Sequence, residues 1–295
     1  MGVPQVAIAP GAPGATGPDA ARSLDIAARA FWWRPALALQ YGLMLEAYAR
    51  AGLRLEPPLA DLGCGTGLFA AMLVARGVVG GTDLGLDWQL GDLRRTVHRP
   101  TLGLLQGDMQ ALPFADGSLG SAVSHCVLSS FVGDGRDGLR RSLAEVRRAL
   151  RPGGRFVCCV ATPAYAANAT SVRLARRLGR ERLAHRVEAW IDRRNDHTVV
   201  LGRGDWEKLL RGAGLGVEAC RPVLARGCAA MHSWLTLLRG ADLPRRLGLT
   251  GVVPLQAAAQ ARLLRLTLGR GFAAEADRMG SSGTTEAGFL LFAAR

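Results

Sequence analysis

Short apolar segments alternate with amphipathic segments through most of the chain. Apolar residues that recur every three or four positions predict helices, whereas short uninterrupted apolar runs bounded by glycine or proline predict buried strands. The predicted strands cover residues 59–62, 78–82, 101–106, 121–127, 154–161, 215–224 and 287–294. Helical patterns separate most of these strands. The alternation predicts the α/β class, with a doubly wound, mostly parallel, seven-stranded Rossmann-like sheet and right-handed crossovers.

The first predicted strand runs directly into a glycine-rich loop. Residues 61–67 read DLGCGTG, and a helical pattern begins at Leu68. Glycine permits positive φ and a close approach of ligand to backbone, and the helix N-terminus offers free N–H groups. No Gly-Lys-Ser/Thr follows, and the alternating glycines lack the GxGxxG spacing of a dinucleotide site. The loop therefore predicts a nucleoside ligand without a pyrophosphate.

Three aspartates stand at the ends of the first three predicted strands. Asp61 precedes the glycine loop, Asp83 follows the second strand, and Asp108 follows the third. A carboxylate at the end of the second strand can accept hydrogen bonds from both hydroxyls of a ribose. Asp108 can accept one from an exocyclic amine while the backbone of Met109 contacts a ring nitrogen. Together these positions predict a nucleoside site at the carboxyl edge of the sheet.

Four motifs in this order resemble the class I S-adenosylmethionine-dependent methyltransferases, in particular the small-molecule branch similar to quinone-biosynthesis methyltransferases. They are LADLGCGTG (59–67), GTD (81–83), GDMQALPFADGSL (107–119) and ALRPGGRFV (149–157). The resemblance covers residues 57–161 and the terminal strand. It implies S-adenosylmethionine as the cofactor and S-adenosylhomocysteine as the product.

The resemblance also implies roles for individual residues. Asp61 and the glycine loop would contact the methionine part of the cofactor, and Asp83 the ribose. Asp108 and Met109 would contact the adenine, while Ser124 and His125 would line the methyl-transfer face. The residues assigned to the cofactor are Asp61, Gly63, Cys64, Gly65, Thr66, Gly67, Asp83, Leu84, Asp108, Met109 and Ser124. No metal ion is predicted.

The identity of a catalytic base is open. Transfer to a phenol, an enol or an acidic carbon is assisted by a general base, and histidine is the usual choice near neutral pH. His125 is the candidate base, because it ends the fourth strand beside the loop. Other groups that could reach an acceptor are His185, His197, His232 and Tyr165. The sequence departs from the family at Gly120, where Asp is usual, and at Ser129 or Ser130, where His or Glu is frequent.

Helical segments flank and interrupt the predicted core. We expect a flexible tail at 1–20, N-terminal cap helices at 21–56, a cofactor-binding core at 57–161, a helical cap insertion at 162–204, a core helix and strand at 205–224, a second helical insertion at 225–286 and a terminal core strand at 287–295. Long insertions in a compact domain are usually functional, so we assign them to a cap over the site. They could instead serve packing or dimerisation, and the oligomeric state is open.

Composition narrows the class of protein. The 295 residues are 49% hydrophobic and 21% charged, which excludes a disordered chain, and arginines interrupt every long apolar run, which argues against a transmembrane helix. The six cysteines show neither metal-ligand nor disulfide-framework spacing, and the first residues lack the pattern of a signal peptide. We therefore expect a cytoplasmic protein.

Charge raises a second class of partner. The net charge is +13, but Lys208 is the single lysine among 37 basic residues, as codon bias in a GC-rich genome would produce. Nucleic acid is therefore disfavoured. One cap segment carries a cluster of arginines, namely Arg173, Arg176, Arg177, Arg180, Arg182 and Arg186. This segment could contact anionic lipid, RNA or an acidic substrate, or be a solvated helix face; peripheral membrane contact is thus an open possibility.

These observations together predict a methyltransferase that moves the methyl group of S-adenosylmethionine to O, C or N of a small, hydrophobic or aromatic metabolite. Two alternatives remain open. One is an RNA or protein methyltransferase that uses the arginine-rich face, and the other is a non-catalytic S-adenosylmethionine-binding partner protein, since a fold does not dictate its chemistry.

Overall fold

The computed structural model describes residues 19–31, 34–80, 82–89, 101–130, 135–225, 228–229, 231–232, 235, 253–279 and 287–295. The predicted tail up to residue 18 and the two tryptophans Trp32 and Trp33 lie outside the described residues. So do residues 226–227, 230, 233–234, 236–252 and 280–286 of the second predicted insertion.

Seven strands form one sheet in the order β3-β2-β1-β4-β5-β7-β6. The strands are β1 (Leu59–Leu62), β2 (Thr82–Asp87), β3 (Thr101–Gln106), β4 (Leu119–His125), β5 (Leu150–Ala161), β6 (Val217–Val223) and β7 (Phe289–Ala294). Strands β1 to β5 pair in parallel, whereas β7 lies antiparallel between β5 and β6. The predicted fold class, a mostly parallel seven-stranded Rossmann-like sheet, is confirmed.

Helices cover both faces of the sheet. They are α1 (Ala20–Ala30), α2 (Pro35–Ala51), α3 (Leu68–Arg76), α4 (Gly135–Ala149), α5 (Ala164–Ala167), α6 (Thr170–Arg177), α7 (Glu181–Arg194), α8 (Arg203–Gly212) and α9 (Val253–Arg278). Side chains of α1, α2, α3 and α9 pack with one face of the sheet, and those of α4 and α8 pack with the other. Side chains alternate along each strand, so both faces of the central strands are buried and read as continuous apolar runs.

One strand boundary differs from the prediction in a way that affects the site. The run 78–82 was predicted as the second strand, but β2 begins at Thr82 and ends at Asp87. Helix α3 ends at Gly77 with a left-handed φ of 80°. The apolar residues that follow, Val78 and Val79, belong to the connection, and both pack in the core beside α3. This connecting segment is apolar because it is buried, and its apolar run therefore had the pattern of a strand.

The N-terminal helices are joined to the core by a buried ion pair. The Arg76 guanidinium at the end of α3 lies 3.3 Å from the Glu46 carboxylate of α2, and neither side chain is exposed to solvent. Ser23 of α1 donates to the same carboxylate at 2.7 Å and accepts from Arg76 Nε at 2.9 Å. The three helices α1, α2 and α3 therefore share one buried network of charged and hydroxyl groups. All three belong to the same helical layer on one face of the sheet.

Truncation of this network should strongly destabilise the fold. We expect Arg76→Ala to lower the free energy of unfolding by about 3 to 5 kcal/mol, because the Glu46 carboxylate would stay buried without its counter-charge. The control is Arg140→Ala, which removes an exposed pair with Asp137 and should cost less than about 1 kcal/mol. Urea unfolding followed by circular dichroism measures both. Equal losses in the two variants would contradict a structural role for the buried pair.

Among the described residues, no helix combines the length and the apolar character that crossing a bilayer requires. The division of the chain into a core and cap segments stays a prediction. The structure adds that α1, α2 and α9 pack against one another as part of one helical layer.

Candidate functional site

The glycine loop lies at the carboxyl end of β1, where its backbone is bound to β2. The amides of Gly63 and Cys64 both donate to the Leu86 carbonyl, at 2.7 and 3.0 Å. Gly63 has a φ of 78°, and a Cβ there would overlap the side chain of Val127. Glycine is therefore required at this position both by conformation and by space. Gly67, with a φ of 73°, caps the N-terminus of α3.

A carboxylate at the end of β2 is hydrogen-bonded to this loop. Asp87 Oδ2 accepts from the Gly65 amide at 2.8 Å, and Oδ1 accepts from the Gln89 amide at 2.8 Å. Asp87 is buried, and the exposed indole of Trp88 follows it directly. The loop and the strand end are thus fixed beside one another. The acid at the end of β2 is therefore Asp87, whereas Asp83 was the acid predicted there.

The structure does not place Asp83 and Leu84 beside the glycine loop. Both residues lie near the beginning of β2, so they are at the opposite end of the strand from the glycine loop. Asp83 Oδ2 accepts from the Leu59 amide at 2.7 Å and so links the beginnings of β1 and β2. Leu84 packs against the core. Two Gly-x-Asp triplets, 81–83 and 85–87, follow one another in this part of the sequence, and the second of them ends β2.

Asp108 follows β3, as predicted. Its Oδ1 accepts from the Gln110 amide at 2.9 Å, and Asp108 itself is exposed. Met109 is buried in the core between Leu112 and Leu86. The strand ends of β1, β2 and β3 therefore bring Asp61, Asp87 and Asp108 to one edge of the sheet, while the contacts to an adenine stay a prediction.

Asp61 is the buried carboxylate of the site. Burial raises the pKa of Asp61 to about 7, the charge of His125 opposes this rise, and the charge of Asp87 adds to it. A carboxylate in this position gains stability from a cation placed beside it. The remaining loop residues, Cys64 and Thr66, are buried and half-buried.

His125 lies in a cluster of aromatic rings. Its ring stacks on Phe69, with the ring centres 3.5 Å apart, and lies 5.3 Å from Tyr41 and 6.1 Å from Tyr48. Both ring nitrogens of His125 are buried without a hydrogen-bond partner among the described residues. A buried polar group of this kind ordinarily has a partner, and the thiols of Cys126 and Cys159 lie within 4.8 Å of the imidazole.

Ser124 and His125 do not lie on one face of the sheet. Ser124 is fully buried on the side of Cys158, with which it is in register, whereas His125 is in register with Cys159. Successive side chains of a strand point to opposite faces. The structure therefore does not bring Ser124 and His125 to one face of the sheet, and the role of Ser124 at the cofactor stays a prediction.

Two thiols adjoin His125. The potential ligand atoms of His125, Cys126 and Cys159 all lie within 4.8 Å of one another. Cys126 has a positive φ of 61°, and a hydrogen bond from Cys159 together with the charge of His125 lowers its thiol pKa well below the usual range. These three groups are the part of the described site that could hold a soft metal ion.

A second aromatic group lies at the ends of the first cap segment. Tyr165 of α5 contacts His197 and Phe289, with ring centres 4.9 Å away in each case, and His232 at 6.0 Å. Burial raises the pKa of Tyr165 and lowers that of His232 to about 4. His185, by contrast, is exposed on α7 and takes no part in this cluster.

Comparison with known proteins supports the resemblance over about a third of the chain. Residues 60–158 match the family model of a methyltransferase domain. A malonyl-(acyl-carrier protein) O-methyltransferase of Methylococcus capsulatus is 42% identical over 114 residues, which are 36% of this chain and 39% of that protein. A demethylmenaquinone methyltransferase of Corynebacterium kroppenstedtii is 37% identical over 110 residues, 36% of this chain and 44% of the relative. The predicted resemblance to methyltransferases is confirmed for this segment.

The chain spans less than half the length of these two curated relatives. Among solved structures, the 4+2 cyclase SpnF superposes with a TM-score of 0.51 at 17% identity, over 87% of this chain and 81% of that one. At this identity the likeness shows the fold alone. It agrees with the seven-stranded sheet described above.

Proposed function

We propose that the protein is an S-adenosylmethionine-dependent methyltransferase that acts on a small, hydrophobic or aromatic acceptor. The observation that carries the proposal is the hydrogen bond from the Gly65 amide to the Asp87 carboxylate. It joins the glycine loop to a strand-end acid, the pair of features that binds nucleosides in doubly wound folds. The methyltransferase-domain match over residues 60–158 agrees with this assignment.

The residues of the site fit this cofactor. Asp87 would accept hydrogen bonds from the ribose hydroxyls, and Asp61 would face the cationic amino group of the methionine part. Asp108 and the backbone of Met109 would contact the adenine. Gly63, Gly65 and Gly67 would allow the ligand to approach the backbone closely. When bound, the cofactor supplies an already activated methyl group, so the protein's task is to position a nucleophile and exclude water.

The acceptor would lie among the aromatic rings around His125. Tyr41, Tyr48 and Phe69 come from α2 and α3, and Tyr165 and His197 come from the first cap segment. Burial raises the pKa of Tyr41 and of Tyr165, and the charge of Cys126 adds to the rise in both. Rings on two sides favour a flat or apolar acceptor over a polymer.

The free thiols of all six cysteines favour a reducing compartment such as the cytoplasm.

His125 would act as the general base toward this acceptor. Its ring orientation is held by the stack on Phe69, and its two nitrogens have no other described partner. A proton taken from an acceptor hydroxyl or acidic carbon would reside on the imidazole until it passes to solvent.

We expect His125→Gln to lower kcat about 100-fold or more with a responsive acceptor, because proton transfer contributes roughly 10²- to 10⁴-fold. A panel of phenols, quinols and carboxylic acids, incubated with methyl-labelled S-adenosylmethionine, identifies that acceptor. The variant should bind S-adenosylhomocysteine within about threefold of the wild type.

His185→Gln is the matched control, since this histidine is exposed and distant from the cluster. A variant at position 125 that retains the wild-type rate would contradict the base assignment. Binding of the cofactor without labelled product from any acceptor would favour the non-catalytic alternative.

A further inference from the structure

Helices α6 and α7 form a hairpin, defined here as residues 170–194, that packs mainly through its own small seam. The seam consists of Val172, Ala175 and Ala184, with Ala169, Val187 and Ile191 packed against them. This cluster is separate from the two main cores. Most of its other side chains are exposed, and the remainder are half-buried.

Large apolar side chains are exposed on both helices. Leu174 and Leu178 are 55% and 64% exposed, and they are four positions apart, on one side of α6 and its end. Leu183 and Trp190, seven positions apart on α7, are 45% and 52% exposed. Positions four or seven apart share one face of a helix. Four large apolar groups on one short hairpin exceed the scattered exposure that is ordinary for a soluble surface.

The same hairpin is strongly cationic. It holds eight arginines and three carboxylates. Two of the carboxylates, Glu181 and Glu188, pair with one arginine, Arg176. The third, Asp192, lies beside His197. Each of the three carboxylates thus lies beside a basic side chain of the protein. The exposed arginines near the apolar positions are Arg177, Arg180, Arg182, Arg186, Arg193 and Arg194.

We propose that the α6–α7 hairpin docks on the surface of an anionic lipid bilayer. Leucines and a tryptophan would enter the interface between headgroups and acyl chains, while the arginines around them would contact lipid phosphates. Arg194 already lies over the Trp190 ring, 5.1 Å from its centre, an arrangement that keeps the cation beside an interfacial aromatic. This combination of an apolar face and arginines defines interfacial helices.

An RNA partner would account for the arginines but not for the exposed leucines, because a nucleic-acid surface offers phosphates and stacked bases rather than an apolar layer.

The position of the hairpin in the chain relates the docking surface to the candidate site. It is flanked by Tyr165 and His197, which meet in the aromatic cluster of the candidate site. Docking would therefore place that cluster close to the membrane surface. The docking proposal itself rests on the hairpin surface and is independent of the reaction.

Vesicle co-sedimentation of the full chain tests the proposal. We expect binding to vesicles that contain phosphatidylglycerol and at least about tenfold weaker binding to vesicles of phosphatidylcholine alone. Arg182→Glu with Arg186→Glu should weaken the binding about 25-fold or more, because each arginine near an anionic surface contributes roughly fivefold. Leu178→Ala with Trp190→Ala should weaken it at least about tenfold, even at high salt.

Helix α9 provides the matched controls. Leu263→Ala with Leu266→Ala removes leucines that are 58% and 76% exposed, and Arg262→Glu with Arg270→Glu inverts two exposed charges. Both controls should bind vesicles within about twofold of the wild type. The proposal is overturned if the controls and the hairpin variants lose binding equally, or if no vesicle binds folded protein. Self-association through the hairpin in place of vesicle binding, or tighter binding to a fluorescent RNA, would also overturn it.

Discussion

Asp87→Ala is expected to weaken the binding of S-adenosylhomocysteine at least about 100-fold. In the proposed site its carboxylate accepts hydrogen bonds from both ribose hydroxyls, and a hydrogen bond to a charged group contributes roughly 1.5 to 3 kcal/mol. The substitution also removes the acceptor of the Gly65 amide, which holds the middle of the glycine loop beside β2. Equilibrium dialysis with labelled ligand measures the dissociation constant directly.

Asp83→Ala is the control that separates the two Gly-x-Asp triplets. It removes the hydrogen bond from the Leu59 amide and should therefore lower the melting temperature. Because Asp83 lies at the other end of the strand, the affinity should change less than about threefold. If Asp83→Ala abolished binding while Asp87→Ala retained it, the ribose would have to be placed at Asp83, and our account of β2 would fail.

A second large effect is expected at Asp61, whose pKa is raised to about 7 by burial. The folded protein then binds more protons than the unfolded chain between about pH 4 and 7, so this group makes the fold less stable as the pH rises through that window. Asp61→Asn removes the buried charge. Above pH 7 the variant should be more stable than the wild type, by up to about 4 kcal/mol, and the difference should shrink toward pH 4.

The same substitution should impair cofactor binding. A cationic amino group favours the ionised form of Asp61, so binding to the wild type releases a proton at acidic pH. The affinity of the wild type for S-adenosylhomocysteine should fall by up to about tenfold for each pH unit below about 7. Asp61→Asn should bind weakly at all pH values and lose this dependence. Chemical denaturation and dialysis across the pH range test both effects, and a variant with the wild-type pH profile would contradict the assignment.

The sequence predicted the sheet because its strands have strong local signals. The loop 61–67 and the third and fifth strands, near Asp108 and Phe156, were located from glycines, prolines and apolar runs alone. The second strand was misplaced because Val78 and Val79 are buried without being in a strand. An apolar pattern indicates which residues are buried. It does not indicate which of two adjacent Gly-x-Asp triplets ends the strand. Hydrogen bonds to Gly65 and to Leu59 distinguish the two acids, and these contacts exist only in the folded chain.

The aromatic cluster shows a different limit. Tyr41, Tyr48, Phe69 and His125 come from three elements that are distant in sequence, and no spacing in the sequence relates them. Their meeting depends on how α2 and α3 pack against the end of β4. His125 itself was identified as a candidate because it ends a strand beside the loop. Its partners could be found only from the tertiary structure.

The central claim is that the glycine loop and Asp87 form a cofactor site. Calorimetric titration of the folded chain with S-adenosylhomocysteine, at low and at high salt, tests it most directly. Saturable binding is expected at one site per chain, with an affinity that changes little with salt because the contacts are hydrogen bonds and one charge pair at the buried Asp61, which salt screens weakly. Absence of binding by folded protein, or binding that disappears as salt is raised, would contradict the claim.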